Sequence, residues 1–217
     1  MATDYYPRLA SLSHDREATV RLVNEQTEIA ILLSAPIFVT MMALAPSVIR
    51  VLYSESFGPS VEVLRWQILG DVLKVASWPL GFVILASGDG KTYFFSECTA
   101  WIVMAAFVSG LVPSMGLRAA GMASLVCYAF CLPLLYWLAR RRIGFHWTRP
   151  VALSMLVTLS ICVCVGIMAI LSRLGAYIGC VVAGALAVFA LGRVSKISGL
   201  SGIIGRVGGI ARRITGT

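Results

Sequence analysis

Asp71 and Lys74 are the charged residues whose positions most suggest chemistry, because both stand inside a long apolar stretch. Three positions apart on a helix, they project from neighbouring points of one face. In lipid each charge costs roughly 2.5–3.5 kcal/mol, so both should face a bundle interior or water. Two interpretations are open: a mutual ion pair that fixes the helix to its neighbours, or a hydrated pathway in which Lys74 attracts an anionic substrate. Arg50 and Arg65, near the same side, favour the pathway.

Prolines interrupt the same region, at Pro36, Pro46 and Pro79. A proline in a soluble helix interior costs about 3 kcal/mol. Membrane helices tolerate it where neighbours or cavity water satisfy the freed carbonyls, and transporters use such bends to shape their sites. We expect helix bends at these three positions, with a static kink as the alternative. Trp78 adjoins Pro79 near mid-membrane, so its indole N–H should face polar groups in the interior.

The composition assigns these residues to a membrane protein. Hydrophobic residues make up 59% of the 217 residues and charged residues only 13%, too little charge to cover a soluble surface. Six stretches reach the length of about 20 apolar residues that a bilayer requires. Their hydrophobicity is continuous rather than alternating, which predicts helices and not a barrel. The predicted fold is an all-α polytopic membrane protein with spans at 29–53, 66–87, 98–117, 119–139, 151–172 and 174–192.

The distribution of Lys and Arg predicts the orientation of the spans. Thirteen basic residues fall on the side that carries both termini and four on the other, with Lys74 inside a span. Because basic loops stay in the cytoplasm, both termini should be cytoplasmic. The net charge of +8 then serves topology and contact with anionic membrane lipids, and it gives little support for nucleic-acid binding. The four residues of the opposite side are Arg50, Arg65, Arg118 and Arg173.

Two segments flank the predicted spans. Residues 1–28 form a cytoplasmic amphipathic segment, in which 14–28 should make a surface helix along the interface. Glu28 is expected on the solvated face of that helix, with the mouth of a cavity as the alternative. Residues 193–217 form a basic cytoplasmic tail. Its last part, 198–217, fits an interfacial helix and a loosely ordered chain equally, because its regular glycines weaken a helix.

The later spans have the features of a scaffold. Spans 151–172 and 174–192 contain no Asp, Glu, Lys, Arg or His. Small residues recur at every fourth position in two places, which predicts close helix packing there. These residues are Ala106, Gly110 and Ser114 in one place, and Gly175, Gly179, Ala183 and Ala187 in the other.

No constellation in the spans indicates an enzyme, a metal site or a cofactor. Cys127 and Cys131 share a helix face, but without a nearby histidine they are interpreted as small core residues. The run SGDGKT at 87–92 resembles the end of a phosphate-binding loop. It lacks the first glycine of that pattern, where Leu85 stands, and the preceding strand, so it is interpreted as a cytoplasmic turn.

Several motifs resemble a family of membrane transporters. The run YYPRLA at 5–10, an amphipathic stretch, and a span ending VIRVLY at 48–53 look like the second half of a polysaccharide-lipid flippase. More specific is LRWQILGDVLK at 64–74, followed by Trp78 and later Glu97. This run is similar to the branch that flips O-antigen and enterobacterial common antigen units on undecaprenyl pyrophosphate. That branch lies within the multidrug/oligosaccharidyl-lipid/polysaccharide exporter superfamily.

The resemblance extends over about residues 4–142 and implies a partial second bundle of a two-bundle transporter in the bacterial inner membrane. It implies flipping by alternating access of a polyprenyl-pyrophosphate-linked glycan, such as an O-antigen unit, coupled to H⁺ or Na⁺. Family members have about twelve to fourteen spans, and YYPR normally follows a membrane helix. We therefore expect that an N-terminal bundle is missing, or that a partner chain replaces it.

The resemblance also implies roles for individual residues. Lys74, Arg50 and Arg65 would attract phosphate or acidic sugar. Asp71 would couple the ion or hold Lys74 in place. The other pathway residues implied are Trp78 and Glu97.

Three alternatives remain open on the sequence alone. A drug or metabolite cation antiporter of the same superfamily would need acidic residues without paired cations in its cavity. A membrane-embedded transferase or ligase would need ionisable residues in a sizeable external loop, and no loop between the predicted spans exceeds about a dozen residues. A non-transporting membrane subunit would need a partner. The interpretation preferred is a transporter and not an enzyme.

Overall fold

The computed structural model describes residues 2–12, 15–53 and 55–197, and this part of the chain is built of helices with no strand. Six of its helices are long and apolar enough to cross a membrane. The predicted all-α polytopic membrane fold is confirmed. The helices are α1 Ala2–Ser11, α2 Arg16–Leu52, α3 Ser60–Ala86, α4 Gly90–Met115, α5 Arg118–Ile143, α6 Arg149–Leu171 and α7 Arg173–Ile197, with a short 3-10 turn at Glu55–Phe57.

The first long helix begins earlier than the sequence predicts. α2 runs unbroken for 37 residues, so residues 16–28 are its first turns and not a separate surface helix. Asp15 starts it by accepting a hydrogen bond from the Ala18 N–H at 3.0 Å, which is the role of an N-cap. No glycine follows before Tyr53 ends the helix. The separate surface helix expected for 14–28 is therefore absent, since 16–28 continue into α2, and the cytoplasmic position of 1–28 stays a prediction.

Glu28 is buried, contrary to the expectation of a solvated face. Its carboxylate accepts a hydrogen bond from Nε of Arg193 at 3.0 Å, and this ion pair joins α2 to the last turns of α7. A buried carboxylate is tolerated when a cation and hydrogen bonds compensate it. Residues 193–197, predicted as the start of a tail, are therefore helical, and 198–217 lie outside the described residues.

Polar contacts hold loops and helix ends together at one end of the bundle. Asn24 is buried on α2, donates to the carbonyl of His146 at 3.1 Å and accepts from the Thr148 N–H at 2.9 Å. Arg142 pairs with Asp89 between α5 and the turn before α4. We call this the basic end, because nine described Lys and Arg residues lie on its helix ends and loops. They are Arg16, Arg21, Lys91, Arg140, Arg141, Arg142, Arg149, Arg193 and Lys196. That this end faces the cytoplasm stays a prediction.

The prolines lie inside continuous helices. α2 is unbroken across Pro36 and Pro46, and α3 across Pro79. The Thr40 hydroxyl donates to the Pro36 carbonyl at 2.7 Å, and the Tyr5 hydroxyl donates to the Pro79 carbonyl at 3.3 Å. Both hydroxyls bind the carbonyl of the proline itself, whereas the carbonyl that a proline leaves without its helical partner belongs to the residue four positions earlier. The predicted bends stay a prediction.

α3 packs most extensively on α5, and glycines allow the two backbones to approach. A Cβ added to Gly70 would lie 2.9 Å from the backbone N of Leu125. A Cβ added to Gly121 would lie 2.6 Å from the carbonyl oxygen of Val63. Such distances leave no room for a side chain. The helix that carries Asp71 and Lys74 is therefore held tightly against α5.

Only one of the two predicted small-residue stripes is packed. A Cβ on Gly179 would meet Ala43 and Val165 at 2.7 Å, so α7 lies close to α2 and α6 there. Gly110 has open space around it instead. Ala106 and Ser114 are exposed as well, so the prediction of close packing on that stripe is wrong for the described part of the chain. α4 packs chiefly on α5 and touches α3 little, which leaves this face uncovered.

Candidate functional site

The face of α3 that carries Asp71 and Lys74 is partly open to the outside. Nζ of Lys74 lies 3.9 Å from Oδ1 of Asp71, and the two side chains are 35% and 30% exposed. The predicted mutual ion pair is therefore present, but it is long and accessible. Such a pair contributes little to the free energy of unfolding. The Lys74 charge thus remains available to a further anion.

Two aromatic rings hold the Lys74 ammonium in place. Its Nζ lies 5.6 Å from the ring centre of Trp78 and 5.4 Å from that of Tyr128 on α5. Cations over such rings are attracted by about 0.5–2 kcal/mol, and more strongly where water is scarce. Lys74 therefore bridges α3 and α5, rather than pointing away from the bundle.

Trp78 is not buried in the interior, contrary to the sequence expectation. It is 59% exposed, and its ring lies beside Lys74 at the wall of a crevice. The physical reason is the position of α4, which packs on α5 and leaves this part of α3 uncovered. The interior that the sequence predicts for this ring is an open crevice.

The crevice has a volume of about 370 Å³ and lies between α3, α4 and α5. It reaches the lower size limit of small-molecule sites in proteins. Aromatic rings from all three helices dominate its wall, and one carboxylate joins them. These lining residues are Trp78, Phe82, Tyr93, Trp101, Tyr128 and Glu97.

Glu97 is the charged residue of the crevice wall. Its side chain forms no hydrogen bond or ion pair with any described residue, and it is exposed to the crevice and its opening. At 1.5 Å per residue, it lies about 10 Å along α4 from the first residue of that helix. Trp78 lies about 12 Å and Lys74 about 18 Å from the last residue of α3 at the same end. The three side chains thus occupy neighbouring levels within the spanning region.

Arg50 and Arg65 lie in a different place from Lys74. Both line a second cavity of about 540 Å³ at the opposite end of the bundle, together with Pro46 and Glu62. The Nε of Arg65 is buried and has no hydrogen-bond partner among the described residues. Arg65 precedes Lys74 by nine residues, or about 14 Å along α3. The six predicted pathway residues therefore fall into two groups. Trp78 and Glu97 line the crevice, with Lys74 beside the Trp78 ring and Asp71 paired with Lys74, whereas Arg50 and Arg65 lie at the opposite end.

Sequence reasoning missed most of the crevice wall. Tyr93, Glu97 and Trp101 follow each other at four-residue spacing, so they share one face of α4. This spacing was a usable signal, since a carboxylate between two aromatic residues in an apolar span is unusual. Tyr128 carried no such signal, because its contact with Lys74 depends on how α5 packs against α3.

The SGDGKT run is a helix cap at the basic end. Asp89 accepts from the Thr92 N–H at 2.9 Å and from the Thr92 hydroxyl at 2.6 Å, and it pairs with Arg142. The hydrogen bonds from Thr92, helped by Arg142, lower the pKa of Asp89 from 3.8 to about 2. This geometry fits the interpretation as a turn and leaves the aspartate engaged in holding α4 to α5.

The chain is similar to two curated proteins, each named a lipid III flippase, from Escherichia coli (strain K12) and from Shigella flexneri. Each is 27% identical to it over 139 residues, which are 63% of this chain and 33% of the relative. The matched part thus spans a third of the length of these relatives. No family model matches the chain, and no solved structure matches it. The resemblance to part of a flippase of this type is confirmed.

Proposed function

We propose that the chain is part of a transporter that flips lipid-linked oligosaccharide, such as O-antigen units on undecaprenyl pyrophosphate, across the bacterial inner membrane. The observation that supports this best is the position of Lys74 within a spanning helix, beside an open crevice and only loosely paired with Asp71. The names of the similar proteins support the same class of substrate.

The mechanism follows from the cost of moving charge through hydrocarbon. A sugar pyrophosphate cannot enter the bilayer core without compensation, because burying unpaired charge is prohibitive. In the proposed cycle, the headgroup enters the crevice and its phosphate meets Lys74. The polyprenyl tail stays in lipid, since α4 touches α3 little and the crevice opens between these helices. Alternating access then exposes the headgroup to each side in turn.

The remaining charged residues receive supporting roles in this proposal. Asp71 keeps Lys74 in position or binds the coupling ion, H⁺ or Na⁺. Arg50 and Arg65 form a second cationic group at the opposite end, where both line one cavity. A second bundle, or a partner chain, closes the crevice from the uncovered side, and membrane lipids cover the apolar faces. The proposed role involves no nucleic acid and no resident cofactor.

Substitution in the bacterium that encodes the chain tests the proposal. We expect Lys74→Ala to lower surface polysaccharide at least about tenfold, equivalent to roughly 1.4 kcal/mol, and Lys74→Arg to preserve most of it. Lys91→Ala, at the exposed basic end, is the matched control and should have no effect. Polysaccharide is measured by immunoblot at equal membrane levels of each variant. Unchanged surface polysaccharide in both Lys74→Ala and Asp71→Ala would contradict the proposal.

One observation favours a second candidate, a cation antiporter. Glu97 is a carboxylate without a described partner in an aromatic crevice, an arrangement suited to an organic cation. The nearby Lys74 opposes it, because a second cation would be repelled. Vesicles with the reconstituted full chain and an imposed proton gradient distinguish the two. Uptake of ethidium that is lost in Glu97→Gln would favour the antiporter.

A further inference from the structure

We propose that the crevice between α3, α4 and α5 is a sugar-binding subsite for a neutral sugar ring, with aromatic rings against its faces and Glu97 as hydrogen-bond acceptor. The inference rests on the proposed function and deepens it. It assigns the sugar to the crevice and leaves the phosphate to Lys74 at its edge.

The aromatic wall suits the faces of a sugar ring. One face of a pyranose presents C–H groups with partial positive charge, and an aromatic ring presents a negative face to them. Trp78 on α3 and Trp101 on α4 supply large rings from two sides, and Tyr128 on α5 supplies a third. Rings from three helices around one small volume can therefore enclose a sugar, instead of merely touching it.

Glu97 supplies the one charged hydrogen-bond acceptor among the described residues that line the crevice. The hydroxyl of Ser77 donates to the Lys74 carbonyl at 2.8 Å, and that of Ser96 donates to the Tyr93 carbonyl at 2.7 Å. Both serine protons are thus committed to the backbone, whereas the Glu97 carboxylate has no partner among the described residues. Hydrogen bonds from sugar hydroxyls to a carboxylate are about twice as strong as neutral ones.

Charge argues for a neutral occupant of the crevice. An organic cation would be repelled by the Lys74 ammonium, which lies beside the Trp78 and Tyr128 rings. A phosphate inside the crevice would be repelled by Glu97. A neutral sugar meets neither obstacle. The spacing also suits a sugar joined to phosphate, because Lys74 lies one helical turn, about 6 Å along α3, from Trp78.

The experiment measures binding of two soluble neutral disaccharides, maltose and N,N′-diacetylchitobiose. The full chain is purified in a detergent without a sugar headgroup, and saturation-transfer NMR observes the ligand against empty micelles. We expect at least one of the two to bind. Trp101→Ala and Glu97→Gln should each weaken that binding at least about fivefold, equivalent to roughly 1 kcal/mol.

Two further variants guard against a folding artefact. Trp101→Phe keeps an aromatic face and should bind within about twofold of the unaltered chain. Trp137→Ala removes an exposed tryptophan outside the crevice, beneath the Arg141 guanidinium, and should change nothing. Absence of binding by both disaccharides overturns the inference, as does binding that survives both Trp101→Ala and Glu97→Gln.

The outcomes separate this inference from the proposed function. If Lys74→Ala abolishes surface polysaccharide but neither disaccharide binds, the subsite is wrong and the transport function stands. If a disaccharide binds at Trp101 and Glu97 while both Lys74→Ala and Asp71→Ala leave surface polysaccharide unchanged, the subsite stands and the transport function is wrong.

Discussion

The two sides of the bundle differ in whether their spanning helices carry charged side chains or pack through apolar ones. On one side, α3, α4 and α5 surround an open crevice and place Lys74 and Glu97 within the spanning region. On the other side, α2, α6 and α7 pack around an apolar cluster, and no Asp, Glu, Lys, Arg or His occurs in 150–172 or 174–192. The cluster contains Val39, Met42, Ala43, Ile68, Val72, Cys162, Val165 and Ala183.

The difference shows where the bundle accepts an energetic cost. Each charge within the bilayer is unfavourable by a few kcal/mol, and a bundle held by packing alone has no need of it. The apolar cluster between α2, α6 and α7 shows that this chain can build such packing, while the ion pair of Glu28 and Arg193 lies at the end of this side. The charges on the crevice side therefore fit the proposed binding role of the crevice better than a purely structural role.

Substitution of close-approach glycines should give the largest effect on stability and compares the two sides directly. Gly121→Ala forces a Cβ against the backbone of Val63, which cannot move away, so we expect a loss of about 2–3 kcal/mol. Gly179→Ala meets the Val165 methyl group, which can rotate away, and the Ala43 Cβ, which cannot, so a smaller loss of about 1–2 kcal/mol is expected. Unfolding by SDS titration in mild detergent measures both.

The control for these glycines is Gly110→Ala. Gly110 has open space around it on α4, and alanine favours a helix by up to about 1 kcal/mol. This variant should be neutral or slightly more stable than the unaltered chain. A loss in Gly110→Ala as large as that in Gly121→Ala would mean that α4 packs more closely than described.

Removal of the Arg193 side chain should give a medium effect and tests the link between α2 and α7. Arg193→Ala leaves the Glu28 side chain, only 11% exposed, without its cation, so we expect a loss of about 1–3 kcal/mol. The matched control is Arg21→Ala. Its pair with Glu25 is long and exposed, with 4.0 Å between charged atoms, and should contribute less than about 0.5 kcal/mol. Equal losses in the two variants would contradict the burial of Glu28.

A change of pH should give the smallest effect and tests the crevice side at its basic end. The folded pKa of Asp89 is about 2, below its ordinary value of 3.8, so ionised Asp89 stabilises the fold above that ordinary value. This contribution is lost as the pH falls from about 4 to about 2. We expect the melting temperature, followed by intrinsic fluorescence, to fall less steeply over this range in Asp89→Asn.

Two variants separate the causes of the Asp89 effect. Thr92→Val removes the larger cause of the lowered Asp89 pKa. It should therefore reduce the loss of melting temperature between about pH 4 and pH 2 more than Arg142→Gln does. The reverse order would show that the ion pair, and not the hydrogen bond, dominates at this cap. Identical pH profiles for Asp89→Asn and the unaltered chain would contradict any role of this carboxylate in stability.

Much of the fold could be predicted because the hydropathy and length of the apolar stretches determine where the spanning helices form. Six apolar stretches become six long helices, since backbone groups in lipid must be satisfied within each segment. The extent of α2 was not predictable from the same pattern. Alternating charges in 16–28 indicate a surface helix, yet Thr19, Val23 and Thr27 form a stripe that other helices bury. Burial of that stripe depends on tertiary contacts that a local pattern does not contain.

From the sequence, residues of the candidate site could be grouped only when they lie on the same helix. Asp71, Lys74 and Trp78 are recognisable because they share one face of α3. Tyr128 and Glu97 meet them through the packing of α4 and α5, and nothing in local spacing fixes that packing. Arg50 and Arg65 show the converse, since their predicted position near the same side of the membrane suggested one site with Lys74, and the fold places them at a separate cavity.

α4 is tethered at both ends, and this limits how it can move. At its start Asp89 is bound to Arg142, and at its end the two-residue turn 116–117 leads directly into α5. Swinging outward would break one of these tethers, whereas rolling about the long axis of the helix would keep both. Such a roll would carry the Glu97 carboxylate toward the acyl chains, where its charge is opposed. The Glu97 charge therefore opposes rotation of α4 about its own axis.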